Sequence, residues 1–225
     1  MTTPMRHRLI YFRVTLAALA LLVAAPAFGG AQVEEQLAPS VVTVMSRALS
    51  DSPAPAQYAQ GSAVRSWIDA MAPRLATRFP DARERSDFLA TVHYEATRAG
   101  LDPQLMLGVI QHESGFHKYA VSPVGARGFM QVMPFWMRLI GNGEQSLFHL
   151  RTNLRYGAVI LRHYLDMENG DVFRALGRYN GSLGRPDYPQ AVFANMARHW
   201  QYTSAPPAHV STAPLGALAA QSTLR

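Results

Sequence analysis

One carboxylate lies where a helix should present only apolar side chains. An apolar stripe is formed by Leu105, Met106, Val109 and Ile110, at three- and four-residue spacing. Glu113 falls on the same helical face, at about 100° per residue. Burial raises the pKa of a carboxyl group toward neutrality, which lets the group act as a general acid near neutral pH. The alternative is that the helix frays near Gly115 and the carboxylate turns to solvent, and periodicity alone does not separate the two interpretations.

Three short motifs contain or follow this carboxylate. The first is Glu113-Ser114-Gly115-Phe116, the second runs from Ser122 to Pro134 and includes Gly128-Phe129-Met130-Gln131, and the third is Arg178-Tyr179-Asn180. In order and spacing they resemble the motifs of the soluble lytic transglycosylase (SLT) catalytic domain. That lysozyme-like family cleaves the glycan strands of bacterial peptidoglycan. The resemblance extends from about Phe88 to about Tyr188.

The resemblance implies a role for each motif. Glu113 takes the position of the single catalytic acid/base group. Gln131 would hydrogen-bond the glycan, Tyr179 would bring its phenol near Glu113, and Asn180 would bring its amide near an N-acetyl group. The substrate-binding residues implied in this way are Ser114, Phe129, Met130, Gln131, Tyr179 and Asn180.

Each of these residues also has an ordinary structural interpretation. Phe129 and Met130 are of types found more often in a core than against a ligand, Tyr179 could be a packing aromatic, and Asn180-Gly181 is a common turn. Their joint occurrence favours the functional interpretation. The sequence departs from the family pattern at positions such as Phe129 and Arg178, which affect the walls of the cleft and leave the chemistry intact.

In the scheme that the resemblance implies, one glutamate works first as acid and then as base. The product is a 1,6-anhydro sugar, and no water is consumed. Most other glycosidases use two carboxyl groups, and Glu144, Asp166 and Asp187 remain open as second acids. A goose-type lysozyme action, which hydrolyses the same bond, is therefore one alternative. A non-catalytic cell-wall-binding or assembly factor is another.

The elements that must hold these motifs are predicted to be helices. Apolar residues recur at three- and four-residue spacing, and strand-like alternation is nearly absent. Asp102, Asn153 and Asp171 are each predicted to cap the start of a helix. We expect further helices over about 86–99 and about 188–200. The predicted fold is mostly α, a lysozyme-like helical domain with a small loop or hairpin region next to the active-site cleft.

The sequence predicts one domain between low-complexity segments. Residues 1–30 combine basic residues, a short apolar run and a small-residue stretch, which is typical of a secretory signal peptide; an uncleaved anchor is the alternative. Residues 31–60 predict a flexible linker, and residues 203–225 predict a disordered tail. The domain should cover 61–202. A cleaved signal implies a periplasmic protein with no membrane span in the mature chain.

Composition excludes several kinds of site. The chain has no cysteine, so disulfides, thiolate catalysis and thiolate metal sites are excluded. The formal net charge of +6 falls to +3 without the signal-peptide residues Arg6, Arg8 and Arg13. The sequence has no run of basic residues of the kind that indicates nucleic-acid binding. No metal or other cofactor is predicted. The partners implied by the resemblance are peptidoglycan glycan strands, with cell-envelope assembly proteins as a further candidate.

Overall fold

Helices dominate the part of the chain that the structure describes. The structure is a computed structural model, and it describes residues 32–50 and 57–203. Short 3₁₀ turns lie at Tyr58–Gln60 and Ala72–Leu75, and a π-helical turn lies at Met196–Trp200. The prediction of a mostly α domain is confirmed. Within these two ranges the α-helices are α1 (Pro39–Ser50), α2 (Ser62–Met71), α3 (Ala82–Arg98), α4 (Pro103–Ser114), α5 (Phe135–Leu139), α6 (Leu150–Met167), α7 (Val172–Asn180) and α8 (Asp187–Asn195).

Aspartates start three of these helices. The side chain of Asp81 accepts a hydrogen bond from the backbone N–H of Glu84, at 2.7 Å. Asp102 and Asp171 cap α4 and α7 in the same way, as predicted from the sequence. Such caps satisfy N–H groups that the first helical turn leaves unpaired. The cap at Asp102 thereby sets the register of α4, the helix that carries Glu113.

The helix predicted from Asn153 begins one turn earlier. Helix α6 starts at Leu150, and Asn153 is fully buried within it. Its Oδ1 atom accepts from the backbone N–H of Met130 at 2.8 Å, and its Nδ2 atom donates to the carbonyls of Arg127 and Leu147. Asn153 therefore does not cap a helix. It ties the loop before α5 to α6.

That loop contains the small hairpin-like region. Isolated antiparallel bridges join Val121 to Arg127 and Arg127 to Val132. The backbones of Arg127 and Val132 exchange two hydrogen bonds of 3.0 Å. The prediction of a small loop or hairpin region in a helical domain therefore agrees with the structure.

The structure differs from the linker predicted over residues 31–60. Helix α1 lies in this segment and packs against α6, with Met45 and Leu49 buried. Because the segment is rich in Ala, Pro and Ser, its composition did not indicate that these two apolar side chains are buried. The predicted signal peptide, residues 51–56 of the predicted linker, and the predicted tail beyond residue 203 lie outside the described residues. Among the described helices, none combines the length and apolar character that a bilayer span requires.

A buried ion cluster holds α1 in place. The carboxylate of Glu95 is fully buried and accepts hydrogen bonds from Arg155 and Arg98. Arg155 also donates to the carbonyl of Leu49 at 3.1 Å, and Arg98 donates to the carbonyl of Ala48 at 2.7 Å. These carbonyls belong to the last turn of α1, where cations are favoured by the helix dipole. The cluster thus connects α1 to both α3 and α6.

Replacement of Arg155 by methionine should strongly destabilise the protein. The change would remove one partner of a buried carboxylate, which costs about 3–5 kcal/mol. Urea unfolding followed by circular dichroism measures the loss. The control is Arg162→Ala on the same helix, which removes the more exposed pair with Asp166 and should cost less than about 1 kcal/mol. Equal losses in the two variants would contradict this account of Glu95.

Candidate active site

A cleft of about 1350 Å³ opens at the end of α4. Its walls come from the end of α4, the loop that follows it, and the connection between α7 and α8. Of the sequence-predicted residues, Glu113, Ser114, Gln131 and Asn180 line this cleft. The three motifs, which are separated by up to tens of residues in sequence, therefore meet at one surface.

Glu113 lies at the C-terminal end of the apolar face of α4. Helix α4 ends at Gly115, which adopts the left-handed conformation with φ of 55°. Glu113 is partly exposed to the cleft, and its Oε1 atom accepts a 2.5 Å hydrogen bond from the hydroxyl of Tyr188. The ring of His112 meets Tyr188 edge-on at 4.8 Å. The helix does not fray at this point, and the carboxyl group does not turn away into bulk solvent.

Desolvation controls the proton affinity of this carboxyl group. Burial raises the pKa of Glu113 from 4.5 to about 8, against the smaller opposing effect of the Tyr188 hydrogen bond. A group with this pKa holds its proton at pH 7, as a general acid requires. Tyr188 is a site residue to which the sequence assigned no role. It lies 75 positions after Glu113, and no local pattern marked it.

Tyr179 approaches Glu113 from inside the core. Its side chain is 1% exposed, and its hydroxyl donates to the carbonyl of Met130 at 2.7 Å. Burial and the charge of Glu113 hold the pKa of Tyr179 well above its usual range. The phenol interacts electrostatically with Glu113, and its hydroxyl supports the loop.

Phe129 and Met130 face the core in this structure. The ring of Phe129 packs against Phe88 at 5.2 Å, and the side chain is 3% exposed. Met130 is fully buried against Gly157, where an added Cβ would lie only 2.3 Å from the Met130 sulfur. The sequence prediction that these two side chains contact substrate is therefore corrected. Within Gly128-Phe129-Met130-Gln131, the residue that lines the cleft is Gln131.

The turn that carries Gln131 has a demanding geometry. Gln131 has a φ of 46°, which a non-glycine residue adopts only at a cost. Its Nε2 atom donates to the carbonyls of Ala120 and Gly128. Gly128 has a φ of 75°, and an added Cβ there would lie 2.5 Å from the amide nitrogen of Asn153. Only glycine fits this position.

Ser114 connects the first motif to the second. Its hydroxyl donates to the carbonyl of Phe129 at 2.8 Å. Ser114 also lines the cleft, but this hydroxyl hydrogen bond is made to the neighbouring loop. The serine fixes the distance between the end of α4 and the turn at Gln131.

The sequence comparisons agree with this geometry. Residues 90–192 match the family model described as the Transglycosylase SLT domain. This region of the chain is similar to the SLT domain. The matched range agrees with the resemblance from about Phe88 to about Tyr188, and it includes Glu113, the Gln131 turn, Tyr179, Asn180 and Tyr188.

Several relatives share the SLT region. A transglycosylase of Enterobacteria phage PRD1 is 34% identical over 113 residues, which are 47% of this chain and 42% of the phage protein. The membrane-bound lytic murein transglycosylase C of Histophilus somni strain 2336 is 34% identical over 113 residues, covering 43% of this chain and 31% of that protein. The chain thus spans less than half the length of these relatives. A solved lytic transglycosylase Slt from Pseudomonas aeruginosa aligns at 23% identity and a TM-score of 0.39, over 73% of this chain and 32% of that one.

Two further carboxylates line the same cleft as Glu113. They are Glu84, on the first turn of α3, and Asp187, which pairs with Arg185 at 3.3 Å. Asp166 pairs with Arg162 on α6 instead, and Glu144 does not line the cleft. Across the described ranges, no group of three or more His, Asp or Glu side chains could hold a metal ion.

A residue upstream of the matched region supports the loop that carries Gln131. Gln32 is 4% exposed, and its Oε1 atom accepts from the backbone N–H of Met133 at 3.1 Å. Its Nε2 atom lies 3.5 Å from the carbonyl of Gln131, and its side chain also hydrogen-bonds Tyr179. Gln32 lies in the predicted linker, so the sequence reasoning did not assign it a role.

Replacement of Gln32 by alanine should loosen the Gln131 turn. The change leaves buried polar groups without a partner, which costs about 1–3 kcal/mol. We expect a lower melting temperature and faster hydrogen exchange at the amide of Met133. Glu34→Ala is the control, because Glu34 lies on the same segment and forms an exposed pair with Arg138. Unchanged exchange at Met133 in the Gln32 variant would refute the supporting role.

Replacement of Glu113 by glutamine should stabilise the protein above pH 5 and not below pH 4. The folded state raises the pKa of Glu113 from 4.5 to about 8, so it binds the proton more tightly than the unfolded chain. Because the unfolded chain ionises first, the free energy of unfolding falls as pH rises through this window, by at most about 3 kcal/mol at pH 7. Glutamine cannot ionise and avoids this cost. Urea unfolding at pH 4 and pH 7 tests the difference, and an advantage of the same size at both values would contradict it.

Proposed function

We propose that this protein is a lytic transglycosylase of bacterial peptidoglycan. It cleaves the β-1,4 bond between N-acetylmuramic acid and N-acetylglucosamine and leaves a 1,6-anhydro end. The observation that carries the proposal is the position of Glu113, which lines a large cleft in the region similar to the SLT domain and whose pKa burial raises to about 8. The printed names of the relatives, transglycosylase and lytic murein transglycosylase, support the same activity.

Glu113 first acts as a general acid. Its proton passes to the oxygen between the two sugars, and the bond from that oxygen to C1 of the muramic residue breaks. The N-acetyl oxygen of the same sugar supports the positive charge that develops at C1. Because the pKa of Glu113 is about 8, proton donation at neutral pH starts from the populated form of the group.

Glu113 then acts as a general base. As a carboxylate it takes the proton of the C6 hydroxyl, and that oxygen bonds to C1 to close the anhydro ring. The proton returns to Glu113, so the cycle is balanced without water or a cofactor. The hydroxyl of Tyr188 donates to Glu113, which stabilises the carboxylate between the two steps.

Other cleft residues orient the sugar. The amide of Gln131 has its N–H groups committed to two backbone carbonyls, so its oxygen is the atom that we expect to accept from a sugar hydroxyl. Asn180 lines the cleft from a largely buried position and would hydrogen-bond the N-acetyl group. Ser114, Tyr179, Phe129 and Met130 act through the positions that they impose on these groups.

We place this activity in the periplasm, on the basis of the signal peptide predicted over residues 1–30. The glycan strands of the wall are the proposed partner. Service to a secretion or pilus apparatus would use the same chemistry and differ only in the proteins bound.

A hydrolytic, goose-type lysozyme action is the second candidate. The presence of Glu84 and Asp187 in the cleft favours it, since either carboxylate could activate water. A non-catalytic binding factor is less well supported, because binding alone does not require an acid with a raised pKa.

Digestion of purified sacculi tests the proposal directly. Wild-type protein should release soluble muropeptides with 1,6-anhydro ends by mass spectrometry, and Glu113→Gln should reduce release by at least about a thousandfold, because both proton transfers are lost. Glu84→Gln and Asp187→Asn are the matched controls and should retain most activity. Reducing ends that disappear in either control variant would instead establish hydrolysis. No release by folded wild-type protein would refute the enzymatic assignment.

A further inference from the structure

An exposed aromatic ring stands at the rim of the cleft. Tyr119 is 71% exposed and lines the same cleft as Glu113. Burial of a tyrosine ring is strongly favourable, and an aromatic side chain left open beside a binding site commonly serves as a contact for a ligand. The catalytic scheme above does not use Tyr119.

Hydrogen bonds hold the backbone of the turn that carries Tyr119. The turn at Tyr119 is closed by a hydrogen bond of 3.2 Å from the N–H of Ala120 to the carbonyl of His117. The carbonyl of Ala120 accepts from the N–H of Gly128 at 2.9 Å and from the side-chain amide of Gln131 at 3.2 Å. The turn that presents Tyr119 is therefore braced by the same glutamine that lines the catalytic cleft.

Neighbouring side chains fix the ring from the side. The ring of Phe148, which is partly buried, lies 5.8 Å from that of Tyr119 at an angle of 49°. The ammonium of Lys118 lies 5.3 Å from the Tyr119 ring centroid. A positive charge beside the ring disfavours a cationic ligand and suits a neutral or acidic one. The ring remains largely open in spite of both contacts.

We propose that Tyr119 is a stacking platform for an N-acetylhexosamine ring of the bound glycan, at a subsite beside the catalytic centre. The inference rests on the proposed function. In β-linked pyranoses the hydroxyl groups lie around the rim and C–H bonds lie on the ring faces, so a flat aromatic ring can cover one face. The polar residues beside Tyr119 in the cleft wall, His117, Lys118 and Ser122, are placed to meet the rim.

This platform contributes binding energy equally to the substrate and the transition state, because the ring is not a proton donor to the reacting bond. Its loss should therefore raise KM and leave kcat nearly unchanged. We expect Tyr119→Ala to raise KM for soluble, peptide-free glycan strands by roughly tenfold. Tyr119→Phe keeps the ring and should behave as wild type. Tyr119→Leu keeps apolar bulk without a flat face and should resemble the alanine variant.

Direct binding to an inactive protein provides the second measurement. In the Glu113→Gln background, Tyr119→Ala should weaken the Kd for the same strands by roughly tenfold in calorimetry. Val124→Ala is the matched control, because Val124 is an exposed apolar residue of the same loop that does not line the cleft. It should change neither KM nor Kd. Melting temperatures verify that each variant is folded, which the exposure of Tyr119 leads us to expect.

The outcomes separate this inference from the proposed function. Cleavage by the wild type with the same KM and Kd in Tyr119→Ala would overturn the platform and leave the function standing. Loss of binding in Tyr119→Phe would also overturn the platform, because the aromatic ring would then not account for the affinity. Failure of the wild type to cleave, and of Glu113→Gln to bind, would refute the function and the platform together.

Discussion

A carboxyl group kept largely out of water is the constraint on which this structure depends. Glu113 continues the apolar face of α4, and the hydroxyl of Tyr188 is its hydrogen-bond partner. Tyr188 reaches it because α8 packs closely on α4. An added Cβ at Gly108 would lie 2.8 Å from the side chain of Met196 and 3.1 Å from the carbonyl of Val192, so any larger residue would require these neighbours to shift. The helix packing and the proton affinity of the acid are thus set together.

The loop that carries Gln131 forms one wall of the cleft. It is held by polar contacts rather than by apolar packing alone. The turn at Gln131 has an unfavourable backbone conformation and is supported from three directions. Asn153 holds it from α6, Ser114 from the end of α4, and Gln32 from the segment before α1. Each of these groups uses backbone carbonyls or N–H groups of the loop. Strain at a functional turn persists only when its surroundings determine it in this way.

The sequence predicted the features that depend on neighbouring residues. It missed the features that depend on contacts between distant parts of the chain. The cap at Asp102, the apolar face that contains Glu113 and the family motifs are all readable over short windows, and the structure agrees with them. Tyr188 and Gln32 act through partners far along the chain, so periodicity could not mark them. Helix α1 was missed because its position depends on arginines of α3 and α6. Phe129 and Met130 were predicted to contact substrate because the family motifs do not distinguish a side chain in the core from one in the cleft.

The cluster around Glu95 affects how this module could be transplanted. The region shared with relatives begins at residue 90, yet the buried carboxylate joins it to the last turn of α1, some forty positions earlier. A graft cut at the border of the shared region would expose an apolar surface on α6 and leave arginines without the carbonyls that they now bind. The region that matches the family model and the region that packs together therefore have different borders, and a transplanted module would have to include the larger one.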